Sequence, residues 1–300
     1  MNLNRDRCKR AKVPLLNLNQ ARRAKVPLLK NPPAILGKIA SSTALRVEKA
    51  KEIFSLEQAR TQALALAEAE HSSNKENAPL PFKRALCAPG LSFICEVKKA
   101  SPSKGVIAEN FHWLEIAKEY EEGGAHAISV LTEPEFFLGS DRYLREISAT
   151  VKIPTLRKDF IIDPYQLYEA KLLGAKAVLL ICALLEPQTL SSFLALADEL
   201  ALDCLVEIHS AAEADEAFKA GARIIGINNR DLTTFNVDTG LASRLRKKIP
   251  SGILTVAESG IKSAEDVREL KDTGVDAVLI GESLMRAGDK KQFLKELMAV

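Results

Sequence analysis

The chain has 300 residues, of which 47% are hydrophobic and 27% are charged. This is the composition of a water-soluble globular protein, and no apolar run approaches the roughly 20 residues that a membrane-spanning helix needs. The first residues lack the continuous apolar core of a secretory signal. The sequence therefore predicts a cytoplasmic protein without a membrane as a partner.

The formal net charge of +3 is unevenly distributed along the chain. Nine basic residues and one acid give residues 1–33 a charge of +8, whereas 33 basic and 38 acidic residues give the remainder −5. The same segment contains RAKVPLL twice, at 10–16 and 23–29, and four prolines interrupt any helix. We expect a disordered, solvated extension. A basic arm for nucleic acid or a membrane surface and a transit peptide are the alternatives.

Residues 34–90 precede the first predicted strand, and we expect them to form a helical extension. SLEQARTQALALAEAE (55–70) places apolar residues at helical spacing, at Leu56, Ala59, Ala63, Leu66 and Ala67. PFKRALCAPG (81–90) predicts a short second helix or a turn. Because the apolar stripe must pack on a partner, we expect this extension to cap one end of the domain that follows.

From residue 91 onward, short apolar runs rich in Val, Ile and Leu alternate with amphipathic helical segments. Gly123–Gly124 ends one such helix, and Ser263 is a good N-cap for another, with Asp266 supporting its first turn. The eight runs are LSFICEVK (91–98), AISVLTE (127–133), PTLRKDF (154–160), AVLLICALL (177–185), DCLVEIH (203–209), IIGINNRD (224–231), LTVAESG (254–260) and AVLIGESLM (277–285).

Eight buried parallel strands that alternate with helices indicate an α/β protein with a (β/α)8 TIM barrel over residues 91–300. A doubly wound open sheet is the alternative architecture. Such a sheet more often has a Gly-rich fingerprint after its first strand, and this sequence has none there.

Charged and amide side chains recur where the predicted strands end. Five of the strands supply them: Glu96 and Lys98, Lys158, Glu207, Asn228 and Arg230, and Glu258. Because barrel enzymes carry their chemistry at the carboxyl ends of the strands, these groups predict an active site. A core sealed by ion pairs is the structural alternative, but seven polar groups exceed what one or two such pairs would use.

Two short glycine motifs indicate a phosphate among the ligands. ESG (258–260) and GES (281–283) follow the seventh and eighth strands, where barrels commonly bind phosphate on loop amides and a helix N-terminus. Helix-capping turns are the alternative explanation for each motif. The four histidines occur in unlike contexts without metal-ligand spacing, so we predict no metal.

At this point the motifs resemble a known family. FICEVKKASPSKGVI, LRKDFIIDPYQ, LVEIH, IGINNRDLTTF, VAESGI and VLIGESLM look like indole-3-glycerol phosphate synthase, the barrel enzyme of tryptophan biosynthesis. The resemblance runs from about residue 34 to the C-terminus. It implies conversion of 1-(o-carboxyphenylamino)-1-deoxyribulose 5-phosphate to indole-3-glycerol phosphate, CO₂ and water, without a cofactor.

The resemblance also implies catalytic roles, carried over by motif match. Lys158 is the expected general acid, and Glu207 the carboxylate that acts in rearomatisation and dehydration. Lys98 assists proton transfer and Glu96 holds it in place, while Asn228 hydrogen-bonds a substrate hydroxyl or the intermediate. Because a desolvated lysine near other cations has a lowered pKa, we expect Lys158 to be a usable acid near neutral pH.

Further residues of the resemblance bind the substrate. Arg230 and Lys98 hold the benzoate carboxylate, for which the arginine fork is well suited. The expected phosphate ligands are Ser259, Gly260, Gly281 and the backbone amide of Glu282. One common form of the family has a small hydroxyl residue where Glu282 stands, so we expect only backbone contact there.

Four other residues complete the candidate site. Phe137 and Phe160 are candidates for an aromatic wall around the anilino ring, with ordinary packing as the alternative. Ser101, in the E-x-K-x-x-S-P-S motif, and Glu258 are further candidates.

Two rival functions stay open at this stage. A phosphoribosylanthranilate isomerase-like barrel would need a Cys/Asp acid–base pair, which Glu96 and Lys98 do not match. A catalytically silent barrel that serves as a scaffold would normally have lost its charged site residues. The expected partner is a small phosphorylated substrate, without nucleic acid or membrane, and association with other tryptophan-pathway enzymes is left open.

Overall fold

The structure, a computed structural model, describes residues 32, 34–73 and 80–300. The predicted basic extension, residues 1–33, lies outside the described residues except for Pro32, and its behaviour stays a prediction. In the described ranges, no helix has the length and apolar character needed to cross a membrane.

The core of the molecule is a closed barrel of eight parallel strands, as predicted. The barrel strands are β1 (Ser92–Val97), β4 (Ala127–Leu131), β5 (Thr155–Lys158), β6 (Ala177–Ile181), β7 (Asp203–Ile208), β8 (Ile224–Asn228), β9 (Leu254–Glu258) and β10 (Ala277–Ile280). Neighbouring strands pair in the order β1-β10-β9-β8-β7-β6-β5-β4, and β4 pairs with β1 to close the barrel. Each strand lies within one predicted run, and each run extends past its strand into the following loop.

Helices cover the outside of the barrel and alternate with its strands. They are α4 (Trp113–Gly123), α5 (Asp141–Thr150), α6 (Pro164–Leu172), α7 (Pro187–Glu199), α8 (Ala211–Ala220), α9 (Leu241–Arg246), α10 (Ala264–Asp272), α11 (Glu282–Arg286) and α12 (Lys290–Met298). The predicted helix signals are confirmed, since Gly124 ends α4 at a φ of 100° and Ser263 forms a capping box with Asp266. A two-stranded hairpin, β2 (Ala100–Ser101) and β3 (Gly105–Val106), follows β1.

The N-terminal extension consists of α1 (Ala34–Ile53), α2 (Leu56–Ser73) and α3 (Pro81–Leu86). Helix α2 packs along α6 and buries Ala59, Ala63 and Ala67. The predicted stripe is wrong at Leu66, which is 47% exposed because the small alanines alone fill the contact with the barrel.

The three helices of the extension reach both ends of the barrel. Helix α1 crosses the carboxyl end, where Ile35, Leu36 and Ile39 line a cavity. Helix α3 lies at the amino end, and the backbone N–H of Lys83 donates to Asp203 at the start of β7 over 2.8 Å. We predicted that the extension covers one end of the barrel, whereas its helices contact both ends.

The outer face of β5 carries a buried ion network. Arg157 is fully buried and donates to the carbonyl of Gln166 at 3.0 Å and to Glu169 at 2.6 Å, both on α6. The next carboxylate, Asp159, accepts from Nη2 of Arg46 on α1 at 2.8 and 3.0 Å. This network fixes α1 and α6 to the strand that carries Lys158.

Candidate active site

A cavity of about 730 Å³ opens at the carboxyl ends of the strands. Its wall includes every residue that the sequence singled out: Glu96, Lys98, Ser101, Phe137, Lys158, Phe160, Glu207, Asn228, Arg230, Glu258, Ser259, Gly260, Gly281 and Glu282. The alternation of side chains along each strand brings these groups to one face, and the parallel strands bring their carboxyl ends to one rim.

Glu96 and Lys98 form an ion pair at the end of β1, as their spacing of two predicts. Gly281 provides the room for this pair, because a Cβ at that position would collide with the Glu96 carboxylate. Burial alone would raise the pKa of Glu96, but Lys98, Lys158 and Arg230 outweigh it and lower that pKa. Glu96 is therefore an anion that fixes the Lys98 ammonium beside the cavity.

Lys158 lies between two carboxylates inside the barrel. Its Nζ forms an ion pair with Glu258 and lies 3.5 Å from Oε2 of Glu207. Burial alone would lower the pKa of Lys158, but Glu258 and Glu207 outweigh it and raise that pKa above its ordinary value. The expectation of a lowered pKa is wrong here, because the charges that act most strongly on this lysine are the carboxylates of Glu258, Glu207 and Glu96.

Glu258 is the least satisfied charged group of the cavity. It is 2% exposed, and its Oε1 has no hydrogen-bond partner among the described residues. Burial raises its pKa to about 7, with Lys158 opposing this shift and Glu207 adding to it. Gly226 makes space for the carboxylate, since a Cβ there would collide with Oε1. Near neutral pH this group therefore exchanges a proton with its surroundings.

Asn228 is the last residue of β8, and Arg230 follows it by two residues. The Asn228 side-chain oxygen accepts from the backbone N–H of Arg230 at 3.0 Å. The Arg230 guanidinium donates from Nη1 to the carbonyl of Phe235 at 3.0 Å, which fixes the direction of its fork. A permanent cation beside Lys98 and Lys158 gives this end of the cavity three positively charged side chains.

The predicted phosphate ligands lie together after β9 and β10. Ser259 and Gly260 have φ values of 67° and 85°, and this left-handed turn exposes successive backbone amides. The side-chain amide of Asn229 donates to the Ser259 carbonyl at 3.1 Å and holds the turn. The Glu282 carboxylate contacts Arg286 at 3.2 Å and Lys104 at 3.8 Å, so two cations neutralise it.

Phe137 and Phe160 form an aromatic wall, with ring centroids 5.8 Å apart. Buried Glu133 holds the loop that carries Phe137, because its carboxylate accepts the backbone N–H groups of residues 135, 136 and 137 at 3.0, 2.7 and 3.0 Å. Sequence reasoning missed Glu133, although it ends the second predicted run and precedes a proline.

Comparison with known proteins identifies the family. A sequence model described as indole-3-glycerol phosphate synthase matches residues 36–297. The chain belongs to the indole-3-glycerol phosphate synthase family. A protein of that name from Ruminiclostridium cellulolyticum is 54% identical over 263 residues, which cover 88% of this chain and 98% of that protein. One from Endomicrobium trichonymphae is also 54% identical, over 88% of this chain and 99% of its own length.

Solved structures add evidence on the fold of this synthase family member. A 3-hexulose-6-phosphate synthase superposes with a TM-score of 0.57 at 15% identity, over 70% of this chain and 99% of that one. Thiamine phosphate pyrophosphorylase from Pyrococcus furiosus gives a TM-score of 0.53 at 22% identity, over 70% and 94% of the two chains. Both likenesses support the barrel architecture alone.

The synthase cavity also contains residues that the sequence analysis did not single out. Ile35, Leu36 and Ile39 of α1 form an apolar part of its wall. Their spacing of three and four residues is a helical signal, but we predicted a helix in the extension only from residue 55. The cavity is therefore built from both the barrel and the extension.

Proposed function

We propose that this cavity performs the indole-3-glycerol phosphate synthase reaction with Lys158 as the proton donor. The family assignment gives the activity, which is that of a carboxy-lyase of tryptophan biosynthesis. The observation that supports the residue assignment is the buried Lys158 ammonium, held between Glu258 and Glu207 at the cavity wall. The carboxylates keep this lysine protonated at neutral pH, which is the state that a general acid requires.

In the first step, the aryl carbon that bears the carboxylate attacks the ketose carbonyl carbon. A carbon–carbon bond forms, and the carbonyl π electrons move to oxygen, which takes a proton from Lys158. A developing alkoxide is far more basic than an amine, so this transfer is favourable even with the raised pKa of Lys158.

In the second step, the carboxylate leaves as CO₂ and returns its bonding electrons to the ring. In the third step, the new hydroxyl leaves as water with one added proton, while Glu207 removes a proton from the former C1 of the ketose. The reaction consumes one proton in total, because an anionic carboxylate leaves as a neutral gas. In this proposal Asn228, a cavity residue on the adjacent strand β8, donates a hydrogen bond to the hydroxyl of the intermediate.

Three groups of residues hold the substrate in this proposal. Lys98 and Arg230 bind the benzoate carboxylate, and Phe137 with Phe160 covers the anilino ring. The phosphate binds the amides around Ser259, Gly260, Gly281 and Glu282. Arg286 and Lys104 pair with the Glu282 carboxylate and offset its negative charge. This supports binding of the phosphate to the backbone amide of Glu282 rather than to its side chain. Ser101, in the β2–β3 hairpin, lies at the cavity rim.

The test is an indole fluorescence assay on purified protein in EDTA with no cofactor added. We expect the anilino-deoxyribulose phosphate to give indole fluorescence together with release of one CO₂ per turnover. Phosphoribosylanthranilate serves as the matched control substrate, because it reports the isomerase alternative and should remain unchanged. Folded protein that gives no indole fluorescence would contradict the proposed function. We further propose that the enzyme works in the cytoplasm, where its small-molecule pathway substrate is made.

A further inference from the structure

His209 occupies an unusual position behind the cavity wall. It follows Glu207 by two residues at the end of β7, and its side chain is only 16% exposed. Nε2 lies 3.5 Å from Oε1 of Glu207, and Nδ1 lies 3.5 Å from Oε2 of Glu213 on α8. Both nitrogens are buried and neither has a hydrogen-bond partner among the described residues, so the two contacts are charge contacts. The imidazole therefore lies between two carboxylates, one of which belongs to the proposed catalytic group.

The largest charge contributions to this imidazole come from carboxylates, while the Lys158 ammonium lies 3.5 Å from the other oxygen of Glu207. Glu207 lies on its own strand and Glu213 on α8, while Glu258 on β9 and Asp231 after β8 act from further away. A neutral ring would direct a nitrogen lone pair at one of the two nearest carboxylates, whereas the imidazolium presents an N–H to each. Burial alone would lower the pKa of His209, but Glu213 and Glu207 outweigh it and raise that pKa.

The loop after β7 has other hydrogen bonds to hold it. The backbone N–H of His209 donates to Glu213 at 2.6 Å, and the Ser210 side chain caps α8 through the N–H of Glu213 at 3.2 Å. The chain direction at this strand end is thus set by backbone and cap contacts. The imidazole is the part of His209 that faces Glu207, so its role concerns that carboxylate.

We propose that His209 is a positioning residue whose imidazolium holds Oε1 of Glu207 and leaves Oε2 facing Lys158. The inference deepens the proposed function and rests on Glu207 acting as its base. Oε2 of Glu207 lies 3.5 Å from Lys158 Nζ, so the two oxygens of one carboxylate have different neighbours. Deprotonation of His209 at rising pH leaves a single ring N–H for two carboxylates, so Oε1 of Glu207 is held less firmly and the carboxylate rotates more freely.

The first experiment measures kcat of the wild type and of His209→Gln from pH 5.5 to 9. At the acid end we expect the variant to be about tenfold slower, the lower range for loss of a residue that orients a reactive group. The ratio of the two kcat values should approach one as the pH rises through the titration of His209. Titrations of Lys158 and Glu258 occur in both proteins and do not change the sense of this comparison.

The second experiment follows the His209 imidazole by ¹H–¹⁵N NMR during a pH titration, with His209→Gln used to assign its signals. We expect a pKa above 6.5, the ordinary histidine value. Glu213→Gln should lower this pKa and shift the change in the kcat ratio to lower pH, because it removes one of the two adjacent negative charges. This readout needs no turnover, so it stays informative if the wild type forms no indole.

His126→Gln is the matched control, because His126 is a second partly buried histidine at the opposite end of the barrel. Its Nδ1 accepts from the Phe93 N–H at 3.1 Å, and burial lowers its pKa. We expect this variant to change stability without a pH-dependent change in relative kcat. A kcat ratio for His209→Gln that is constant with pH, or a His209 that is neutral at pH 6, would overturn the proposal.

Discussion

Strand β5 buries charged side chains on both of its faces, and the two faces differ in how completely those charges are paired. On the outer face, Arg157 and Asp159 are the centre of a network, and each of these two residues has several partners. On the inner face, Lys158 faces a cavity with two carboxylates, and Glu258 has an oxygen without a hydrogen bond among the described residues. Adjacent residues of one strand therefore differ in pairing: the charges on the outer face have several partners each, and those on the inner face have unmet hydrogen-bonding capacity.

The outer network is saturated. Arg157 donates to five acceptors, which are Thr132, Asp141, Asp159, Gln166 and Glu169. Arg46 and Arg157 lower the pKa of Asp159 against the effect of burial. A buried ion pair with this many partners is costly to break and leaves its carboxylates little capacity for a ligand. This face holds the structure together.

The inner cluster has the opposite property. Its carboxylates crowd one ammonium, and burial raises the pKa of Glu258 to about 7. Groups whose charges remain incompletely satisfied are poised for proton transfer and for a charged ligand. Burial of charged side chains is therefore not enough to indicate an active site. Incomplete pairing of buried charges beside a cavity is the indicative feature.

The largest expected effect comes from the inner face. We predict that Lys158→Ala lowers kcat by about 10²–10⁴, the usual contribution of a positioned general acid. Its thermal midpoint should fall only moderately, because Glu258, whose pKa burial raises to about 7, takes up a proton when its cation is removed. Steady-state indole fluorescence and thermal unfolding check both values. Lys152→Ala, at an exposed lysine before β5, is the control, and a Lys158→Ala variant with half the wild-type kcat would show that the role is misassigned.

A smaller effect separates substrate binding from chemistry in the same cavity. We predict that Arg230→Lys lowers affinity for the carboxylate-bearing substrate by about 10–100-fold, since a lysine cannot reproduce the bidentate fork. The decarboxylated anilino analogue should bind both proteins nearly alike. Competition of each ligand in the fluorescence assay measures this. Equal losses for the two ligands would mean that Arg230 is structural or binds the phosphate.

The smallest effect is expected from the N-terminal segment. Deletion of residues 1–33 should leave kcat/KM and the thermal midpoint almost unchanged at physiological ionic strength, because electrostatic contacts of a basic segment are screened. Deletion of residues 1–70 should lower both, since it removes Arg46 from the outer network and Ile35, Leu36 and Ile39 from the cavity wall. Parallel assays of the two truncations are sufficient. A large loss from the shorter deletion would show that the segment belongs to the fold or the site.

The barrel could be predicted from the sequence because short apolar runs alternate regularly with amphipathic helical segments. Each run is recognised from its own residues, without knowledge of contacts elsewhere in the chain. The sequence also predicted the charged residues of the cavity, since each lies at the carboxyl end of a recognisable run, but it missed the apolar wall from α1. The pKa of Lys158 was mispredicted because it depends on Glu207 and Glu258, whose distances from Lys158 appear only after the barrel closes.

The outer network was missed for the same reason. In LRKDF, Arg157 and Asp159 lie on either side of Lys158. Because side chains alternate along a strand, this order places both on the face opposite to Lys158, the outer face of the barrel. The sequence does not show that Arg46, which is 113 residues away, reaches Asp159. Pairing across such separations depends on how α1 crosses the barrel, and that path follows from tertiary packing.

The most direct test compares the same chemical change at one buried carboxylate of the outer network and at one of the inner cluster. Asp159→Asn and Glu258→Gln each convert a buried carboxylate to an amide, and thermal and urea unfolding between pH 5 and 8 measure the result. Ionisation of Glu258 is disfavoured in the fold, so its stabilising contribution is complete below its unfolded pKa and is lost as the pH rises through about 7. Glu258→Gln should therefore gain stability relative to the wild type as the pH rises, whereas Asp159→Asn should lose about 3 kcal/mol at pH 7. Equal destabilisation by the two substitutions at pH 7 would contradict the distinction between a saturated and an unsaturated face.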